Sequence, residues 1–192
     1  MSPAVIYYDL GSPYAYLSVS RSRELFGEGV TLQPVLVGAI FAHRGWGSWG
    51  HGAERERHVA EIERRATAYG LPPLCWPVGW PNNTLSAMRA ALWAGERGAG
   101  DAFARAAFAA AFAEGGNLSE NAVLGDVATS VGLDPQELEL ATADPRIKAE
   151  LRRVTEQAIA CGVQGVPCTR IDGRVFYGDD HLELAAELAI SS

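Results

Sequence analysis

The sequence predicts an α/β fold in which one sheet-forming unit is interrupted by an all-helical insertion. Strand-like segments occur only toward the two ends of the chain, and the middle carries helix signals alone. The 192 residues are 48% hydrophobic and 20% charged. Such a chain buries a real core and does not stay disordered.

Each element follows from local chemistry. Ala4–Tyr8 is a β-branched and aromatic run and reads as a buried strand. Ser12 as N-cap and Pro13 at the first helical position open a helix over 13–26, which Gly27 stops. Val30–Val37 is a second strand, and its Pro34 marks a partly unpaired or edge stretch. Strand, helix, strand makes a βαβ unit with a right-handed connection. Glu54–Tyr69, Thr84–Arg97, Asp101–Ala113 and Glu120–Val131 look helical, with Gly or Gly-Asn breaks between them. Leu71–Pro81 holds four prolines and two tryptophans and cannot be helix throughout. Asp134-Pro135 and Asp144-Pro145 each supply an N-cap and a first-position proline, the first with Glu137 completing a capping box. The second launches a helix from Pro145 to Cys161. Cys168–Ile171 and Arg174–Tyr177 flank Asp172-Gly173, a strong hairpin signal. Asp180 and Glu183 form a further capping box that opens a last helix through Ile190.

Composition narrows the function. Sixteen Lys+Arg against 23 Asp+Glu give a net charge of −7, which repels phosphate backbones and excludes nucleic acid as a partner. Three cysteines, none in a C-x-x-C pair, make neither a disulfide framework nor a structural zinc site. This points to a reducing, cytoplasmic location. The start lacks a basic leader pattern, and no run of 18 apolar residues predicts a membrane helix. Ala99–Ala113 is broken by Asp101 and Arg105 and reads as a core helix. Cys75, Cys161 and Cys168 read as small buried thiols. His43, His51, His58 and His181 lack metal-ligand spacing, so no metal is expected. The charged stretch Glu54–Arg65 reads as a solvated helix face.

The order βαβ, helices, αββα is that of a thioredoxin-like fold. The expected division is a thioredoxin-like domain of residues 1–40 plus 145–192 and a helical insertion domain of residues 41–144, with the active site at their junction. Val166-Pro167-Cys168 places a proline before the third strand, where such folds keep a cis-proline facing the active-site helix. That helix starts with Ser12-Pro13-Tyr14-Ala15 where thioredoxin-like oxidoreductases carry C-x-x-C. Neither Ser12 nor Ala15 forms a disulfide, so dithiol exchange is excluded there.

Here a resemblance becomes specific. Asp9-Leu10-Gly11-Ser12-Pro13-Tyr14-Ala15-Tyr16-Leu17 resembles the D-x-x-S-P-x-x-Y-L opening of 2-hydroxychromene-2-carboxylate isomerases. These are relatives of kappa-class glutathione transferases within the DsbA-like superfamily. The segments Gly162–Pro167, Tyr177–Leu182 and Pro81–Leu85 are similar to that family's G-V-x-G-V-P, W-G-x-D-R-L and P-x-N-T-L blocks, in the same order. The family usually has a Lys just after the phenylalanine matching Phe41. This chain has Ala42-His43-Arg44 instead, and Arg44 offers its cation by a different geometry.

The resemblance implies glutathione as cofactor, an aromatic unsaturated acid as substrate, and a possible homodimer. Ser12 would be catalytic. At a helix N-terminus the dipole contributes about 0.3–1 kcal/mol toward an anion, up to about 2 when partly buried. A hydroxyl hydrogen bond to sulfur adds about 1 kcal/mol. Together they lower a thiol pKa by about one to two units. Val166 and Pro167 would hold the cysteinyl unit by strand addition, and Gly178, Asp179 and Asp180 the γ-glutamyl end. Ser12 is alternatively an N-cap alone, and Asp180 is equally read as one. Asn83 is either an N-cap or a substrate contact. Arg44, Trp46 and Trp49, in a Gly-rich loop over 45–52, would bind substrate as a lid, or the tryptophans pack on the helical block. Three activities remain open: the isomerase, a kappa-class-like glutathione transferase or peroxidase, and a redox-inactive DsbA-like binding module.

Overall fold

The computed structural model describes residues 3–191. Strands β1 (Ala4–Tyr8), β2 (Val30–Pro34), β3 (Cys168–Ile171) and β4 (Arg174–Tyr177) form one mixed sheet in the order β2-β1-β3-β4. β1 runs parallel to β2, with Ala4 opposite Val30 and Tyr8 opposite Pro34, so the proline does lie on an edge strand. β1 runs antiparallel to β3, with Ile6 opposite Thr169. β3 and β4 form the hairpin, with Asp172 (φ 48°) and Gly173 (φ 79°) both in the left-handed region that its two-residue turn requires.

Helix α1 (Pro13–Phe26) joins β1 to β2, and α2 (Val37–Arg44) follows β2. Then come α3 (Arg55–Ala68), α4 (Leu85–Glu96), α5 (Gly100–Phe112), α6 (Asn121–Ser130), α7 (Pro135–Ala143) and α8 (Pro145–Ala160). Helix α9 (Leu182–Ser191) closes the chain, and short 3-10 turns occupy Trp49–His51 and Asp179–His181. Asp134 and Asp144 cap α7 and α8, accepting from the Gln136 and Arg146 amides at 2.8 and 2.7 Å.

Both faces of the sheet are covered, which is why β1 is apolar throughout. Ile6 and Tyr8 join a hydrophobic cluster that runs through Leu17 of α1, Met88 of α4, Phe103, Phe108 and Phe112 of α5, and Leu151 of α8. Tyr7, on the alternate face, joins Val35, Ile40, Ala158, Val163, Val166 and Cys168 in a smaller cluster. The Ala-rich segment is the core helix α5 that the sequence predicts. No helix among the described residues is long and apolar enough to cross a membrane.

Four details correct the sequence reading. The second strand ends at Pro34, and Val37 begins a helix that no local cap announces: the N-cap is Leu36, with no side-chain cap bond. Cys75 and Cys161 are exposed, and only Cys168 is buried. Glu183 does not stay in a capping box, because it pairs with Arg21 of α1. On α3, Arg57 and Arg64 are solvated, but Arg65 is drawn inward to a buried carboxylate.

Candidate active site

The site is built on Asp9, which directly follows β1 and is 4% exposed. Its Oδ1 accepts from the Gly11 amide at 2.9 Å and the Thr84 hydroxyl at 3.1 Å, and its Oδ2 from the Val37 amide at 3.0 Å. Gly11 leads into α1, Val37 is the first residue of α2, and Thr84 is the N-cap of α4. One carboxylate thus gathers three helix N-termini, where negative charge is favoured. Burial pushes the Asp9 pKa up, and the three donors oppose that shift. Leu36 adds a second tie, its amide donating to Thr155 Oγ1 on α8 at 3.0 Å.

Above this anchor sits Ser12, the N-cap of α1, whose Oγ accepts from the Ala15 amide at 3.2 Å. Accepting uses a lone pair and leaves the hydroxyl proton available. Capping and donation to a ligand are therefore compatible at Ser12. The Tyr14 amide, in the first helical turn, has no intrahelical acceptor. The Val166–Pro167 bond is cis. Cys168, the next residue, is buried, and desolvation pushes its thiol up to about 12, so it is inert at neutral pH.

These groups open onto a cavity of about 630 Å³, within the usual range for small-molecule sites. Ser12, Val166, Pro167, Gly178, Asp179, Asp180, Trp49 and Asn83 all line it. Arg44 and Trp46 do not: they face solvent beside the cavity, the guanidinium 4.3 Å from the indole centroid. Asn83 Oδ1 accepts from the Leu85 amide at 3.0 Å and so helps start α4.

The two aspartates differ. Asp179 is 1% exposed; its Oδ1 takes Arg65 Nη1 at 2.8 Å and its Oδ2 takes the Tyr69 hydroxyl at 3.1 Å. Burial pushes its pKa up, against Arg65 and Tyr69. Asp180 has a half-exposed side chain, with Arg65 at 3.5 Å and the His181 ring at 3.3 Å. Asp180 is the more exposed and more loosely paired carboxylate, and Asp179 is already committed to Arg65 and Tyr69. Gly178, at φ 98°, allows the turn into this pair, since a Cβ there would lie 2.5 Å from Asp180 Oδ1.

An aromatic wall completes the cavity. The His58 ring lies under Trp49 at 4.4 Å and 29°, and Trp49 meets Trp80 at 5.2 Å. Trp80 Nε1 donates to the Gly11 carbonyl at 3.2 Å, tying the wall to the start of α1. The Tyr14 hydroxyl and His58 Nδ1 are 2.8 Å apart. Asp9, Tyr14, His58, Arg65 and Trp80 are site residues to which the sequence reading gives no role. Asp9 and Tyr14 lie inside the opening motif and Trp80 in the Pro-rich loop, whereas nothing local marks His58 or Arg65.

A helix N-terminus and a cis-proline facing one cavity define a thioredoxin-like protein, here with Ser12 and Ala15 rather than a cysteine pair at the start of that helix. The chain belongs to the family of DSBA-like thioredoxin domains, whose model matches residues 5–189. It is similar to the 2-hydroxychromene-2-carboxylate isomerase of Sphingobium xenophagum, 28% identical over 183 residues that cover 92% of each chain. A solved 2-hydroxychromene-2-carboxylate isomerase shares the fold with a TM-score of 0.86 at 22% identity, over 98% of this chain and 94% of that one. A probable DsbA oxidoreductase from Streptomyces coelicolor follows at 0.74 and 20%, over 100% and 89%. The cytosolic disulfide reductase DsbM from Pseudomonas aeruginosa, solved with GSH, gives 0.66 and 17%, over 98% and 96%.

Proposed function

We propose that this protein is a glutathione-dependent isomerase acting on an aromatic unsaturated acid such as 2-hydroxychromene-2-carboxylate. The observation that carries this reading is Ser12: a hydroxyl with a free proton at the N-terminus of α1, opening onto an aromatic-walled cavity that has no reactive thiol of its own.

The donor set suits the tripeptide. Ser12 and the Tyr14 amide favour a sulfur anion, Val166 before the cis-proline offers backbone at the cavity edge, and Asp180 offers a carboxylate to an ammonium group. Bound glutathione would supply a thiol nucleophile able to add reversibly to a conjugated carbon. The protein's own part is to hold Ser12 rigid through Asp9, to keep Asp180 in place beside Arg65, and to seat the substrate ring on Trp49 and Trp80. Arg44, the cation the sequence offers in place of the usual Lys, lies outside the cavity wall, so the substrate acid would be held by other groups.

Calorimetry with glutathione, followed by product analysis with the chromene acid, tests this. Micromolar to millimolar binding, a rearranged product with glutathione recovered unchanged, and a Ser12→Ala loss of kcat of about 10²-fold or more are expected. A glutathione conjugate or disulfide as product replaces the isomerase with a transferase or peroxidase. No binding at millimolar glutathione leaves a redox-inactive binding module.

A further inference from the structure

Tyr14 and His58 form a pair to which the isomerase reading gives no task. Their hydroxyl and Nδ1 are 2.8 Å apart, the rings meet edge-on at 5.9 Å, and both residues line the cavity with Ser12 and Trp49. Trp49, stacked on the imidazole, fixes its plane. Resting on the isomerase reading, we propose that Tyr14 and His58 form a proton relay that passes a proton to and from an oxygen of the aromatic substrate.

The surroundings set the polarity of the pair. Burial raises the Tyr14 pKa, with Arg65 opposing and Asp179 and Glu61 assisting. Burial lowers that of His58, helped by Arg57 and opposed by Glu54. Near pH 7 the phenol is protonated and the imidazole neutral, and the relay requires the tautomer in which the Tyr14 O–H donates to Nδ1 and the imidazole proton sits on Nε2. Protonating a substrate oxyanion then breaks Nε2–H and the Tyr14 O–H, and forms the substrate O–H and Nδ1–H. Negative charge passes from the substrate oxygen to the Tyr14 oxygen, and the Arg65 guanidinium lies 5.7 Å from that ring. No electrons change hands, and the reverse transfer restores the pair. Burial holds the Tyr14 phenol above the ordinary phenol range, so its anion is a strong base and the reverse transfer that restores the pair is favoured.

Two measurements on wild type, His58→Gln and Tyr14→Phe test the relay. Nitrogen NMR of the ligand-free protein is expected to show His58 as the neutral Nε2–H tautomer at pH 7, and a mixture of tautomers in Tyr14→Phe. With glutathione and the chromene acid as probe, His58→Gln should lose about 10²-fold or more in kcat and Tyr14→Phe about 10-fold. Glutathione affinity by calorimetry should stay within about twofold in both, as the relay serves the substrate oxygen and leaves the Ser12 end untouched. A cationic or Nδ1–H imidazole at pH 7 overturns the relay. So does an active wild type whose His58→Gln variant turns over equally fast, a result that leaves the isomerase reading standing. A wild type that binds glutathione but rearranges nothing overturns the isomerase reading and the relay with it.

Discussion

On the floor of the cavity one carboxylate, Asp9, collects a bond from each of three helix beginnings, whereas the wall above is held mainly by ring contacts among Trp49, His58 and Trp80. The floor is buried, directional and short in reach. In the wall Trp49 and His58 are half-buried and Trp80 is buried, and ring contacts tolerate small displacements. The proposed role of Ser12 demands the first kind of support, because a catalytic hydroxyl displaced by about 1 Å from its working position loses most of its effect. Binding a flat ring needs only the second.

The largest test of this contrast removes the floor. Asp9→Ala leaves the Gly11 and Val37 amides and the Thr84 hydroxyl without their acceptor. Lost bonds to a charged group and the remaining desolvated donors cost about 3–5 kcal/mol in total. Asp9→Asn keeps the shape and one good acceptor and should cost about half as much. Urea unfolding followed by circular dichroism gives both numbers, and a loss below about 1 kcal/mol for Asp9→Ala would remove Asp9 from the centre of the site.

That same carboxylate explains what the sequence shows and hides. Ser12 with Pro13, Asp134 with Pro135 and Asp144 with Pro145 carry their caps next to the helices they start, so α1, α7 and α8 are legible from neighbouring residues. Helix α2 is capped by Asp9, 28 residues upstream. Val35 and Val37, read locally, only prolong a strand. The site divides in the same way. Ser12, Val166 with Pro167, and Gly178 to Asp180 sit in short motifs and reach the cavity. The inward turn of Arg65 depends on Asp179, 114 positions later, which no local pattern predicts. In the Gly-rich loop Trp46 and Trp49 look alike, but only Trp49 finds His58 to stack on and Trp80 to tilt against.

The two loop tryptophans therefore give the second test, of intermediate size. Trp49→Ala removes contacts to Tyr14, His58 and Trp80 and should cost about 1–2 kcal/mol. Trp46→Ala, at a side chain 47% exposed against Phe41 and Arg44, should stay within about 0.5 kcal/mol. If thermal melts show equal losses, the wall does not depend on Trp49 and the two residues are interchangeable surface rings.

The smallest effect separates a wall held by stacking from one held by charge. His58 titrates below its ordinary 6.5, chiefly because burial disfavours the imidazolium. Between the folded and unfolded values the unfolded chain binds more protons than the folded one, so stability rises with pH across that window. Acidification from about pH 6.5 should therefore lower the melting temperature of wild type more than that of His58→Gln, with the two curves parallel above pH 7. The opposite slope would mean that Glu54 and its neighbours stabilise a charged imidazole. The wall would then be electrostatic like the floor, and the softness that suits it to seating an aromatic ring would lose its physical basis.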